Sequence, residues 1–175
     1  MSEYQDKIRV LLETQKSKSS RNKVITYVGN DPEKMEALMH FFFHENWRYN
    51  QWSAWPLGFI GRLQPQLVRP YLEKMVHNLD DARHDAVIRN TVRVFEDIEI
   101  PEELEGLLYD KCFAFLSNPK YSIAIRAFSM TVLYRITLNY PELAPELIAE
   151  IKAHLPYGSA GFQNRGKKII AKLEK

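Results

Sequence analysis

The residues whose types and spacing could do chemistry fall in a few places. His77, Asp80, Asp81, His84 and Asp85 crowd one stretch of the chain. Imidazole nitrogens and carboxylate oxygens are metal ligands, and His84 with Asp80 or Asp81 has a usable spacing. The same aspartates are good helix caps, however, and Asp85 stands one turn before Arg89, as in an ordinary ion pair. The structural reading is preferred, and no metal is expected. His40 and His44, also one turn apart, lack a third ligand nearby and read as half-exposed helical histidines. Gly161-Phe162-Gln163-Asn164-Arg165-Gly166-Lys167-Lys168 fits a phosphate loop through its first lysine, but Lys168 stands where a magnesium-binding Ser or Thr is required. Such a loop also needs a strand before it and a sheet around it, and a helical pattern precedes this one. The single cysteine, Cys112, reads as a core residue with no base in reach.

The remaining chemistry is recognition. Between Glu45 and Arg62, Arg48, Trp52, Trp55, Phe59 and Arg62 share one broad stripe of a helix at 100° per residue. Ala54, Gly58 and Gly61 make a small-residue stripe elsewhere on it, and Pro56 removes one backbone bond from its interior.

The elements that must position these residues are repeated. Advancing 37 and then 39 residues carries Leu67 to Leu104 to Leu143, Met75 to Cys112 to Ile151, Leu79 to Leu116 to Leu155, and Arg89 to Arg126 to Arg165. Stepping back 37 from Leu72, Met75 and Leu79 lands on Met35, Leu38 and Phe42, while Arg89 lands on Trp52. Units therefore span 30–64, 65–100, 101–139 and 140–175, behind a less regular hairpin over 1–29 that caps the array. Asn30-Asp31-Pro32-Glu33 is a helix start, and Pro65, Pro70, Pro141 and Pro145 predict irregular first turns. RNKVITYVG is rich in β-branched residues but reads as helix, because a lone strand would have no partner. The turn before it is basic through Lys16, Lys18, Arg21 and Lys23, and reads as solvated.

A period near 37 residues, two helices per unit, and Ile88-Arg89 and Ile125-Arg126 early in the second helices resemble the HEAT family of helical repeats. Asn164-Arg165-Gly166 fits that signature poorly, and Trp52 replaces the arginine in the first full unit. The resemblance implies an all-α fold: a right-handed α-α superhelix of about five antiparallel helix pairs, forming one domain over 1–175. It also implies that the recurring arginine ties neighbouring units together through acidic groups and helix carbonyls, a role expected first for Arg89 and Arg126. The repeat register adds one comparison. Arg48, Trp52 and Phe59 occupy the places held by the polar residues Asp85, Arg89 and Glu96 one unit later. Aromatics at helical spacing are usually core, so burial under the N-terminal hairpin is the first expectation and an exposed binding surface the second.

With 175 residues, 45% of them hydrophobic, the chain is long enough to bury a continuous core. A net charge of +2 exerts no global pull on nucleic acid or membrane. The N-terminus lacks the apolar region of a signal peptide, and no apolar run reaches spanning length, so a cytoplasmic protein is expected. With no nucleophile–base pair, metal set or cofactor loop, a non-enzymatic interaction or scaffold protein without a cofactor is expected. Its partner would be a protein, bound on the concave face through Arg48, Trp52, Trp55, Phe59, Arg62, Arg89, Arg93 and Arg126. The alternative is nucleic-acid binding, since a group of DNA-repair glycosylases is built from similar repeats and uses aromatic and arginine side chains. Those enzymes set an Asp beside the tryptophans, whereas this segment offers only Glu45, at its start.

Overall fold

Helix starts are written plainly in the local sequence. In the computed structural model, which describes residues 2–14 and 17–175, helix α1 (Glu3–Glu13) begins behind Ser2, whose hydroxyl accepts the Gln5 amide while Gln5 Oε1 accepts the Ser2 amide. Helix α2 (Lys18–Val28) starts on the Ser17 hydroxyl and stops at Gly29, whose φ of +55° is open to glycine at little cost. The β-branched run is thus helical, as expected, with Val24 and Val28 buried one turn apart. Lys16 of the basic turn lies outside the described residues. Asp31 caps α3 (Pro32–Phe42), its Oδ1 accepting the Glu33 and Lys34 amides at 2.9 and 3.3 Å. Asn46 caps α4 (Trp47–Leu63), which runs through Pro56.

The proline-rich segment that follows is broken, as its sequence predicts, into α5 (Pro65–Val68), a 3₁₀ turn at Arg69–Tyr71, and α6 (Leu72–His77). Helix α7 (Asp85–Phe95) is capped by His84, whose Nδ1 accepts the Ala86 amide at 3.0 Å. The histidine therefore does the capping expected of Asp80 or Asp81. Beyond it come α8 (Glu102–Ser117), α9 (Ile123–Thr137), a 3₁₀ turn at Pro141–Leu143, α10 (Ala144–His154), a second such turn at Leu155–Tyr157, and α11 (Ala160–Leu173). No strand occurs among the described residues.

The chain divides into two compact units, Met1–Ile98 and Glu99–Lys175. In the first, α1, α3 and α5 form one layer and α2, α4 and α7 the other. Met35, Leu38, Phe42, Leu57, Met75 and Phe95 are among the side chains buried in it. The small-residue stripe of α4 explains the close approach of α7. A Cβ on Gly58 would lie 2.6 Å from Asn90 Oδ1, and one on Gly61 2.8 Å from Val94 Cγ2.

In the second unit, α8 packs on α9 and α10, and α11 on α9 and α10. Met130 and Leu133 are fully buried, so α9 is the deeply packed helix its all-round apolar sequence suggests. Cys112 is buried as well, and the loss of solvent pushes its thiol up to about 12, with a smaller opposing effect from the Ser129 hydroxyl. The phosphate-loop lookalike lies inside α11 and its cap, with Gly166 buried against Ile151 and Leu155.

Candidate functional site

The aromatic stripe of α4 sits between the N-terminal hairpin and α7, and its burial falls between full cover and full exposure. Trp52, Trp55 and Phe59 are half-buried. Trp52 and Trp55 line a cleft of about 290 Å³ whose walls come from α1, α2, α4 and the start of α7. Leu11, Leu12 and Val24 supply apolar surface to it; Arg21, Asp85 and Arg89 supply charge.

The hairpin covers the stripe chiefly through one cation. The guanidinium of Arg21 lies 4.8 Å from the centre of the Trp55 ring and 4.0 Å from that of Phe59. A cation over an aromatic face is attracted by the ring quadrupole, by about 0.5–1 kcal/mol where the pair is exposed to water. Arg93 approaches Phe59 at 5.0 Å. Burial pulls the pKa of Arg93 below its ordinary value, and the neighbouring charge of Arg62 lowers it further; Glu96 opposes, Arg89 adds to the lowering, and Asp97 opposes. Arg62 is held at the end of the stripe by Asp97, 2.6 Å from its Nε.

At the other end of α4 the surface is more open. Trp47 is 44% exposed and stacks on His84, with ring centroids 5.8 Å apart and planes 5° from parallel. Exposed Arg48 lies over the Trp47 ring at 5.2 Å. Tyr49 meets Trp52 edge-on and donates to Glu13 Oε1 at 2.5 Å, a second tie between α4 and the hairpin.

One candidate does not join this surface. Arg126 is 5% exposed within the second unit, where its Nε donates to the Leu116 carbonyl at 2.9 Å and its guanidinium lies 5.2 Å from the Phe162 ring. It closes the C-terminal end of α8 rather than facing a ligand. Nor do Asp85 and Arg89 form the expected ion pair: both line the cleft, and no bond joins them.

Two residues of consequence were not foreseen in these roles. Arg21 belongs to the basic turn, and nothing in the spacing of α2 places it over α4. Asn50, 4% exposed, donates to the carbonyls of Phe41, Phe42 and His44 and so closes the C-terminus of α3. A buried amide amid an aromatic stripe was the only signal available.

The comparisons with known proteins bear on this geometry. A family model described as a HEAT repeat domain matches residues 8–173. This chain is a member of the HEAT repeat family. No curated protein matches it, and no solved structure does. In HEAT repeat terms, the helix pairs are the repeat units, and the arginine series acquires a structural meaning. Arg126 binds a carbonyl of its own unit; Arg165 donates to the Ala127 carbonyl and to Thr131 Oγ1, on the second helix of the preceding one. Arg89, at the same repeat position, lines the cleft instead.

The site offers stacking faces and positive charge. Among the described residues no group of three His, Cys, Asp or Glu is placed to hold a metal, and no helix is long and apolar enough to cross a membrane.

Proposed function

We propose that this HEAT repeat protein is a non-enzymatic interaction module, binding a protein partner through the second-helix face of its first unit at the cleft beside Trp52 and Trp55. The observation that carries the reading is the half-burial of three aromatic side chains on one stripe of α4, next to Arg21, Arg89 and Arg93. Aromatic and arginine residues dominate binding energy at protein interfaces, because they bring large rigid area with a polar edge. A helix that needed only to be covered could have used aliphatic residues here, as α7 does with Val87, Ile88 and Val92.

The test is photo-cross-linking in cells from a benzophenone amino acid at position 52. A discrete protein adduct, lost when Trp55→Ala is added with the melting temperature unchanged, supports the reading. Absence of any adduct at this position, when a cross-linker on the Thr26 side of α2 behaves identically, counts against it.

A second reading rests on the arginine cluster. The charges of Arg62 and Arg89 both act on Arg93, and cations interleaved with aromatics also suit single-stranded nucleic acid. That reading requires affinity for a labelled oligonucleotide that falls steeply with salt.

A further inference from the structure

Arg89 brings a positive charge to the cleft. It is half-buried in the cleft wall, and among the described residues no carboxylate or carbonyl bonds its guanidinium. Its counterparts Arg126 and Arg165 both hold carbonyl oxygens. The Arg89 guanidinium is absent from the buried, unpartnered groups and so still reaches water, which leaves it open to an anion brought to the cleft from outside. Arg21 is in a similar condition. Its plane rests on Trp55 and Phe59, and its Nε and Nη2 both donate to Asn22 Oδ1, while Nη1 meets no acceptor among the described residues. The carboxylate in the same wall, Asp85, is exposed at the N-terminus of α7, where solvent and the helix dipole favour it.

We propose that the cleft takes an acidic peptide segment of the partner, seating one aromatic side chain against Trp52 and Trp55 while flanking carboxylates pair with Arg21 and Arg89. This rests on the interaction-module reading and names the partner's chemistry. Size agrees with it. A space of about 290 Å³ falls just below the range of small-molecule sites, about 300 to 1,000 Å³, and suits one anchoring side chain. Charge pattern favours a peptide over nucleic acid. A strand with a phosphate at every nucleotide would meet Asp85 in the cleft wall, whereas a peptide places its carboxylates only where the arginines stand.

The experiment pans a displayed library of random dodecapeptides against the full chain at low ionic strength, then measures enriched peptides by fluorescence anisotropy. Enriched sequences that combine Asp or Glu with one aromatic residue are expected. Their affinity should fall about tenfold or more on Arg89→Gln, since a hydrogen bond to a charged group is at stake, and less on Arg89→Lys. Arg21→Gln, on a different helix, serves as the second variant, and thermal melts establish that each protein is folded. Enrichment of peptides without acidic residues overturns the proposal, as does undiminished binding by both glutamine variants. A twelve-nucleotide thymidine strand that outcompetes the peptides overturns it as well. Should acidic peptides fail while the cross-linker at position 52 still captures a protein, only the ligand class is wrong; should both fail, the interaction reading falls with it.

Discussion

Asn50 shows how much one buried amide can organise. Its Nδ2 lies 2.7 Å from the His44 carbonyl and 2.9 Å from that of Phe42, oxygens that the end of α3 leaves without helical partners. A buried acceptor stripped of its donor forfeits about 1–3 kcal/mol, whereas the exposed cap at Asn46 contributes about 1 kcal/mol or less. Asn50→Ala should therefore lower the urea unfolding free energy clearly more than Asn46→Ala, in side-by-side equilibrium titrations. The role could not be read in advance, because the carbonyls it satisfies belong to the preceding helix and come within reach only when α4 folds back. Arg21 was illegible for the same reason: its ring partners lie on a helix that its own spacing says nothing about.

At the scale of elements, glycine separates packing from propensity. Within a helix, Gly costs about 0.8–1 kcal/mol relative to Ala. Gly106 in α8 has open space where a Cβ would stand, so Gly106→Ala should raise stability by up to that amount. Gly58 is the opposite case. Its Cβ would fall 2.6 Å from Asn90 Oδ1, and Asn90 cannot swing clear because it is buried and its Nδ2 is held by the Ala86 carbonyl at 2.7 Å. Overpacking of this kind costs about 1–3 kcal/mol, enough to outweigh the propensity gain. Thermal melts of the two variants should shift in opposite directions. The small-residue stripe was visible in the sequence of α4; that it meets Asn90 and Val94 of α7 was not.

For the molecule as a whole, each of the two compact units can be followed by itself, and Cys112 is buried in the second. Its thiol is pushed from 9.0 to about 12 by burial, so the folded state keeps a proton that the unfolded chain releases above pH 9. The stability this contributes is whole below pH 9 and is lost as pH rises toward 12, with a slope of up to about 1.4 kcal/mol per pH unit. Urea midpoints at pH 8 and pH 10 should consequently differ more for the natural chain than for Cys112→Ala. The same burial predicts negligible reaction with a disulfide reagent until the protein is unfolded.

What the sequence determined by itself was the repeated helix pair and the identity of its inward face, because both are periodic. Met75, Cys112 and Ile151 stand in one register, and all three are fully buried. Caps such as Asp31 and breaks such as Pro65 were equally legible, since they act over three or four residues. Tertiary structure alone decided what each repeated position does. Arg89, Arg126 and Arg165 are equivalent in sequence, yet two hold helix carbonyls and one lines a cleft. The reason is that a long side chain takes its role from whatever acceptor the neighbouring helix brings within about 3 Å. In the first unit that neighbour is α4, which presents Trp52 and Trp55 to the cleft where Arg89 stands.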